Sequence, residues 1–230
     1  MPTCPDQPPG NSPAPPHAEE PDSPFLPPRL FLPLFGLPTL LFALITWQVV
    51  TNGPLLRVDE RVSRALAGPD RVSELLASLG DVQIAVPVLA LAAVYVALQG
   101  RVAGASGWWL PPLVAAVLMA LVPALVIPLK EWIARHGTPV MPPATGFYPS
   151  GHTATAAVAF GSATLLLLPW LRTAYARREL VIACVVVNAG VGLGLVRCGF
   201  HWPLDVVASW CLCAVLLAFL WLVQRRVVRR

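Results

Sequence analysis

Six long apolar stretches, separated by short polar or charged segments, constrain the fold of this chain more than any other feature. The stretches are residues 30–50, 82–98, 108–129, 152–170, 179–196 and 205–223. A helix needs about 20 mostly apolar residues to cross a bilayer, and a chain with 56% hydrophobic and 12% charged residues is too apolar for an ordinary soluble domain. We therefore predict an all-α fold, a polytopic membrane helical bundle with about six transmembrane helices within residues 29–224.

The segments outside these stretches differ from them, and from one another, in composition. Residues 1–28 are rich in proline and acidic residues, which predicts a disordered tail without the features of a signal peptide. Residues 225–230 contain four arginines and predict a short basic tail. Between the first two spans, residues 51–81 carry mixed charge, and Val58 and Val62 recur at helical spacing, which predicts an amphipathic surface helix.

The positions of the basic residues predict the orientation of the bundle in a cell membrane. One side of the membrane holds Arg29, Arg101, Arg172, Arg177, Arg178 and the four C-terminal arginines. The other side holds Arg57, Arg61, Arg64, Arg71, Lys130, Arg135 and Arg197. If the last three belong to a site, the bias places both tails in the cytoplasm and puts loops 130–151 and 197–204 together on the extracytoplasmic face. Arginine in place of almost all lysine, with abundant alanine, valine, leucine and proline, suggests a bacterial source.

Composition argues against two other classes of function. The basic residues lie at the ends of apolar stretches, where they determine topology and do not form a nucleic-acid surface. The five cysteines are odd in number and have no C-x-x-C spacing, so neither a disulfide framework nor a zinc site is expected. We predict no metal, no cofactor and no nucleic-acid partner.

The sequence Pro149-Ser150-Gly151-His152 leads into the fourth apolar stretch. Its first three residues are turn and helix-start residues, so we expect a helix to begin near Ser150. The first N–H groups of a helix lack intrahelical partners and lie at the positive end of the helix dipole, which makes this position an anion site. His152, in the first turn, can reach the same anion. The arrangement predicts a membrane enzyme that acts on phosphate.

A second polar cluster precedes the sixth apolar stretch. His201 and Asp205 are four residues apart, and Pro203 suits the first turn of a helix. Asp205 can accept a hydrogen bond from one nitrogen of His201, which leaves the other nitrogen available as a nucleophile or base. His152 is the candidate to protonate a leaving oxygen, and Lys130 is among the cations that can hold phosphoryl oxygens.

These residues resemble the motifs of the type-2 phosphatidic acid phosphatase superfamily, which also includes vanadium haloperoxidases. The family pattern is K-x6-R-P, then P-S-G-H, then S-R-x5-H-x3-D; the resemblance covers roughly residues 30–223, and the second motif matches in full. It implies that His201 attacks phosphorus to form a phosphohistidine, that Asp205 orients it, that His152 is the general acid, and that no metal is needed. The phosphate-binding residues that it implies are Lys130, Ser150 and Gly151.

The sequence departs from the family pattern at two arginines. The first-motif arginine falls on Gly137, and the nearby cation is Arg135; the third-motif arginine falls on Leu195, and the nearby cation is Arg197. We predict that Arg135 and Arg197 bind phosphate in place of the displaced arginines. For Arg197, an ordinary surface position is the alternative.

The leading hypothesis is an integral membrane phosphatase that hydrolyses a lipid phosphate or diphosphate monoester at the extracytoplasmic face. A site level with the headgroups suits an amphiphile whose tail remains in the bilayer. One alternative is a lipid phosphotransferase, which passes the phosphoryl group to an acceptor other than water. The displaced arginines motivate a second alternative, a catalytically weak member that binds lipid phosphate. The sequence leaves the particular lipid and the oligomeric state open.

Overall fold

The computed structural model describes residues 31–228, and within this range the chain forms eight α-helices. They are α1 (Leu37–Val50), α2 (Leu55–Leu66), α3 (Arg71–Ser78), α4 (Val82–Val102), α5 (Leu110–Ile133), α6 (Gly151–Leu167), α7 (Ala174–Arg197) and α8 (Pro203–Val228). A π-helical segment, Leu32–Gly36, leads directly into α1, and a 3₁₀ turn, Leu168–Trp170, follows α6. The predicted tail at 1–28 lies outside the described residues, as do the last two arginines.

Six helical spans are long and apolar enough to cross a membrane, namely Leu32–Val50, which joins the π-helical segment to α1, and the spans of α4 to α8. This confirms the predicted all-α fold. Helices α4, α5, α7 and α8 extend beyond their apolar stretches at one or both ends, because charged residues at a helix end lie beyond the hydrocarbon and hydropathy does not mark the end. Lys130 therefore belongs to the last turn of α5. The prediction that placed it in the loop 130–151 is wrong on this point. Arg177 and Arg178 lie within α7, and α8 continues through Arg225 and Arg226.

Helix α6 is at the centre of the bundle, and its composition explains this position. The α6 span is 67% buried, against 11–39% for the other five spans, and it packs against α4, α5, α7 and α8. It is rich in alanine, glycine, serine and threonine, and small residues let membrane helices approach closely. At Gly161, an added Cβ would lie 2.5 Å from Leu217 Cδ1 on α8, so a larger residue would displace this leucine.

Large apolar side chains cover the outer faces of the surrounding helices. Those that are more than half exposed include Leu40, Leu91, Ile127 and Val185. Contiguous apolar surface of this kind is unfavourable in water and is the surface that lipid chains contact. The chain is therefore a multi-pass membrane protein.

The amphipathic helix predicted between the first two spans is a pair of helices, α2 and α3. On α2, Val58 and Val62 are exposed, whereas Asp59 and Ser63 are buried. The polar face of α2 turns towards the bundle because Asp59 forms an ion pair with Arg135 there. The exposed apolar face is the one that a helix at a membrane interface turns towards lipid. Helix α3 packs against α7.

Candidate active site

His201 and Asp205 form a buried pair where the chain enters α8. Pro203 is the first residue of α8, so Asp205 lies in its first turn, and its Oδ2 is 3.2 Å from His201 Nδ1. Oδ2 also accepts the Trp202 N–H at 3.1 Å. His201 is 6% exposed and Asp205 is fully buried. When Nδ1 carries the proton that is donated to Asp205, the lone pair of Nε2 is available as a nucleophile.

Helix α6 begins at Gly151, as predicted, with Ser150 as its N-cap. The Ser150 hydroxyl is buried and accepts the Thr153 N–H at 3.3 Å, so this side chain holds the helix start in place. The Ser150 N–H donates to the Asp205 carbonyl at 3.2 Å, and the Ser209 hydroxyl donates to the Ser150 carbonyl at 2.9 Å. These bonds join the start of α6 to the start of α8, which brings the second and third motifs together.

His152 has a carboxylate partner of its own. Its Nε2 lies 3.1 Å from Asp81 Oδ1, and the two side chains are 50% and 40% exposed. Asp81 is the residue immediately before α4. The pair is therefore solvated, unlike the buried His201–Asp205 pair, and His152 can exchange protons with water.

An apolar groove of about 710 Å³ lies between α4, α5 and α6. Three predicted site residues line it, namely Lys130, Gly151 and His152. The rest of its lining is almost entirely apolar and includes Val86 and Met119. His201 does not line the groove; its ring packs edge-on against Phe147, with the ring centroids 6.0 Å apart. The groove thus combines polar groups at one end with an apolar wall.

Arg135 lies between two carboxylates. Ala134 ends α5 in a left-handed conformation (φ 47°), and the chain reverses so that Arg135 points back towards α8. Its guanidinium donates to Asp205 Oδ1 and to Asp59 Oδ2, each at 2.5 Å. Its side chain is 9% exposed, and its Cζ lies 5.4 Å from the centroid of the Trp202 ring. In this structure both terminal nitrogens of the guanidinium therefore donate to carboxylates.

Arg197 is held by the connection between α2 and α3. It donates to Ser73 Oγ and to the Gly68 carbonyl, each at 2.8 Å, and to Asp70 Oδ2 at 3.2 Å. Asp70 is the N-cap of α3, and its carboxylate accepts the Ser73 N–H at 2.7 Å. This hydrogen bond and, to a smaller extent, Arg197 lower the pKa of the Asp70 carboxyl. None of these partners is a predicted site residue. The structure therefore gives Arg197 a role in tying this connection to the end of α7.

The loops before α6 and before α8 meet directly. The Trp202 indole N–H donates to the His136 carbonyl at 3.1 Å, and the Thr138 hydroxyl donates to the Gly199 carbonyl. The side chain of His136 is exposed. Both contacts hold the first motif against the third at one end of the bundle.

Sequence reasoning missed two acidic residues, Asp59 and Asp81, that contact the predicted site. Burial raises the pKa of Asp59, while the Arg135 guanidinium and the Leu204 N–H act in the opposite direction. The available signal was topological, because both residues lie in segment 51–81 on the same predicted side of the membrane as the site loops. Spacing alone did not show which carboxylate would meet which cation.

A profile of the PAP2 superfamily matches residues 80–229 of the sequence. The chain belongs to the PAP2 superfamily. This membership confirms the resemblance carried by the motifs. Among curated proteins, none matches this PAP2 chain.

One solved structure that resembles this PAP2 protein is the crystal structure of a transmembrane PAP2-type phosphatidylglycerolphosphate phosphatase from Bacillus subtilis. The two chains are 22% identical, and the TM-score is 0.66. The alignment covers 84% of this chain and 98% of the other. At this identity the likeness shows a shared transmembrane PAP2 fold.

Proposed function

We propose that this protein is an integral membrane phosphatase that hydrolyses a lipid phosphate or diphosphate monoester through a phosphohistidine on His201, without a metal. The observation that carries the proposal is the buried His201–Asp205 pair, which is hydrogen-bonded through the backbone to the N-cap of α6. A nucleophile with its orienting carboxylate thus lies beside a helix start suited to an anion. PAP2 membership and the phosphatase fold support the same conclusion.

The reaction we propose has two steps. The lone pair of His201 Nε2 forms a bond to phosphorus, and the bond between phosphorus and the leaving oxygen breaks. The leaving oxygen keeps the electron pair and takes a proton from His152. Water then attacks phosphorus and gives a proton to His152, the bonding pair of the Nε2–phosphorus bond returns to Nε2, and inorganic phosphate leaves. Asp205 holds the ring of His201 in place throughout.

Phosphate binding in this proposal rests on Lys130 and on the N–H groups at the start of α6. Lys130 and Gly151 line the same groove as His152, and Ser150 contributes by capping the helix that carries these N–H groups. Backbone donors aimed at developing charge stabilise a transferring phosphoryl group. The predicted roles of Arg135 and Arg197 as phosphate ligands stay predictions, since both guanidinium groups are bound to carboxylates in this structure.

The apolar groove supports an amphiphilic substrate. A phosphate at Lys130, Gly151 and His152 would leave the rest of the ligand against apolar side chains of α4 and α5. An alkyl chain that passes from the bilayer into this groove stays in apolar surroundings, whereas a polar ligand would lose hydration against the same wall, so the groove suits a lipid phosphate better than a soluble one. The distribution of basic residues supports an extracytoplasmic site with both tails in the cytoplasm, and the composition supports a bacterial source.

One observation favours a second function, that of a catalytically weak protein that binds lipid phosphate. Both displaced arginines have carboxylate partners, so the site has fewer available cations than the family pattern implies. The intact His152, His201 and Asp205 favour the enzyme.

The test is phosphate release in EDTA from a panel of lipid phosphates and diphosphates, with purified protein in detergent. Wild type is compared with His201→Ala and with a matched control, His136→Ala, whose side chain is exposed. We expect release by the wild type and the control and none by His201→Ala. Equal release by all three proteins would contradict the nucleophile assignment. Lipid-phosphate binding without release by wild type would favour the binding protein.

A further inference from the structure

Asp59 is a buried acidic residue that the proposed reaction does not yet use. It lies on α2, ahead of the segment that matches the PAP2 superfamily (residues 80–229). Its side chain is fully buried. Burying a carboxylate is costly unless it is paired and hydrogen-bonded, so its contacts identify what it stabilises.

The contacts of Asp59 connect it to the start of α8, directly through Leu204 and indirectly through Arg135. Asp59 Oδ2 accepts a hydrogen bond from Arg135 at 2.5 Å, and Oδ1 accepts the Leu204 N–H at 2.8 Å. Arg135 donates at the same distance to Asp205, the partner of His201. The four side chains form one chain of contacts in the order Asp59, Arg135, Asp205, His201.

The charge of this cluster matters more than any single contact. One guanidinium shared by two carboxylates leaves a net charge of −1 beside His201. A cluster with only Arg135 and Asp205 would be neutral. When Nε2 bonds to phosphorus, the imidazole gains positive charge, and a net negative cluster in a poorly solvated site stabilises that charge.

We propose that Asp59 is a positioning residue for phosphoryl transfer, which shares Arg135 with Asp205 so that Asp205 keeps the negative charge that His201 needs. This inference rests on the proposed function of His201. Burial raises the pKa of Asp59, whereas its contacts with Arg135 and the Leu204 N–H act in the opposite direction and favour the charged form.

Replacement of Asp59 by asparagine removes one negative charge and leaves the other charged side chains around the site in place. They are Lys130 at the end of α5, His152 at the start of α6, Asp81 before α4 and Arg197 at the end of α7. Asp59→Asn keeps the size of the side chain and one of its two acceptor oxygens, which can serve the Leu204 N–H or Arg135 but not both at their present positions. It leaves Arg135 paired with Asp205, so no unpaired charge is created.

The experiment measures binding of orthovanadate, an analogue of the transferring phosphoryl group, to the full-length protein in detergent. Asp59→Asn is compared with Glu60→Gln, a matched control on the same helix whose exposed carboxylate lies 4.0 Å from Arg64. Once vanadate is bonded to Nε2, the imidazole carries positive charge, so removal of the Asp59 charge should weaken this vanadate adduct. We expect this loss in Asp59→Asn only, without a lower melting temperature, and a similar fall in kcat for phosphate release with little change in KM.

A second variant separates charge from structure. Asp59→Asn combined with Arg135→Gln restores a net charge of −1 at Asp205, so we expect vanadate binding to return towards the wild-type value. Equal binding by Asp59→Asn and the control, no recovery in the double variant, or a large fall in melting temperature in Asp59→Asn would overturn the inference. Because vanadate binding does not depend on the lipid, a wild type that binds vanadate but releases no phosphate would contradict only the proposed function.

Discussion

Substitution of Gly151 by alanine tests whether the start of α6 holds the phosphate. An added Cβ at Gly151 would meet only Val126 Cγ1, at 4.0 Å, and the glycine has no left-handed conformation. The packing therefore tolerates alanine. The Cβ of a helical residue points towards the N-terminus of its helix, which here is the position that a bound phosphate would occupy.

The expected effects on stability and on activity differ in size. Alanine is the better helix former by at most about 1 kcal/mol, so the free energy of unfolding should be unchanged or slightly higher. A methyl group at the anion site would displace a phosphoryl oxygen from one backbone N–H. A hydrogen bond to a charged group contributes about 1.5–3 kcal/mol, which predicts a loss of about 10- to 150-fold in kcat/KM.

The assay is metal-free release of phosphate from the best lipid substrate, with melting temperatures of the same samples. The control is Gly36→Ala, in the first span, where a Cβ would meet only the flexible end of the Leu32 side chain. A kcat/KM for Gly151→Ala within about twofold of wild type would refute the placement of phosphate at this helix start.

Two further predictions concern neighbouring side chains. Asp81→Asn removes the partner that lies 3.1 Å from His152 Nε2; we expect kcat to fall about tenfold with no change in melting temperature, because both side chains are partly exposed, and an unchanged kcat would show that Asp81 does not assist the acid. Tyr148 is buried and bonded to Thr46, and burial raises its pKa to about 12, above about 10 in the unfolded chain. Its contribution to stability is therefore complete below about pH 10 and is lost as the pH rises towards 12. Melting temperatures should fall less steeply over this interval in Tyr148→Phe than in wild type, and parallel curves would contradict the assignment.

The parts of the site that could be predicted from the sequence are those that depend on interactions between residues a few positions apart. Ser150 caps α6 and Pro203 begins α8 because turn and cap preferences act over a few residues. The i, i+4 spacing of His201 and Asp205 already placed the two side chains within reach of each other. The six spans followed from hydropathy for the same reason, since the requirement for about 20 apolar residues applies to each segment separately.

The ion-pair partners of the charged side chains could not be predicted from local sequence spacing. Arg135 and Arg197 are in the predicted region, but the structure pairs one with Asp59 and the other with Asp70. These pairs join residues that are 76 and 127 positions apart in the chain. No local spacing rule covers such distances.

Sequence alone determined that this chain is a six-span membrane protein of the PAP2 type, because bilayer thickness and the motif around His152 impose patterns that a single segment must satisfy. Tertiary structure decided the rest. The packing of α2 against the start of α8 selected which carboxylates share Arg135, and the separation of α4, α5 and α6 created the groove beside Lys130. Both depend on how whole helices pack, and a buried charge takes the partner that this packing brings within reach.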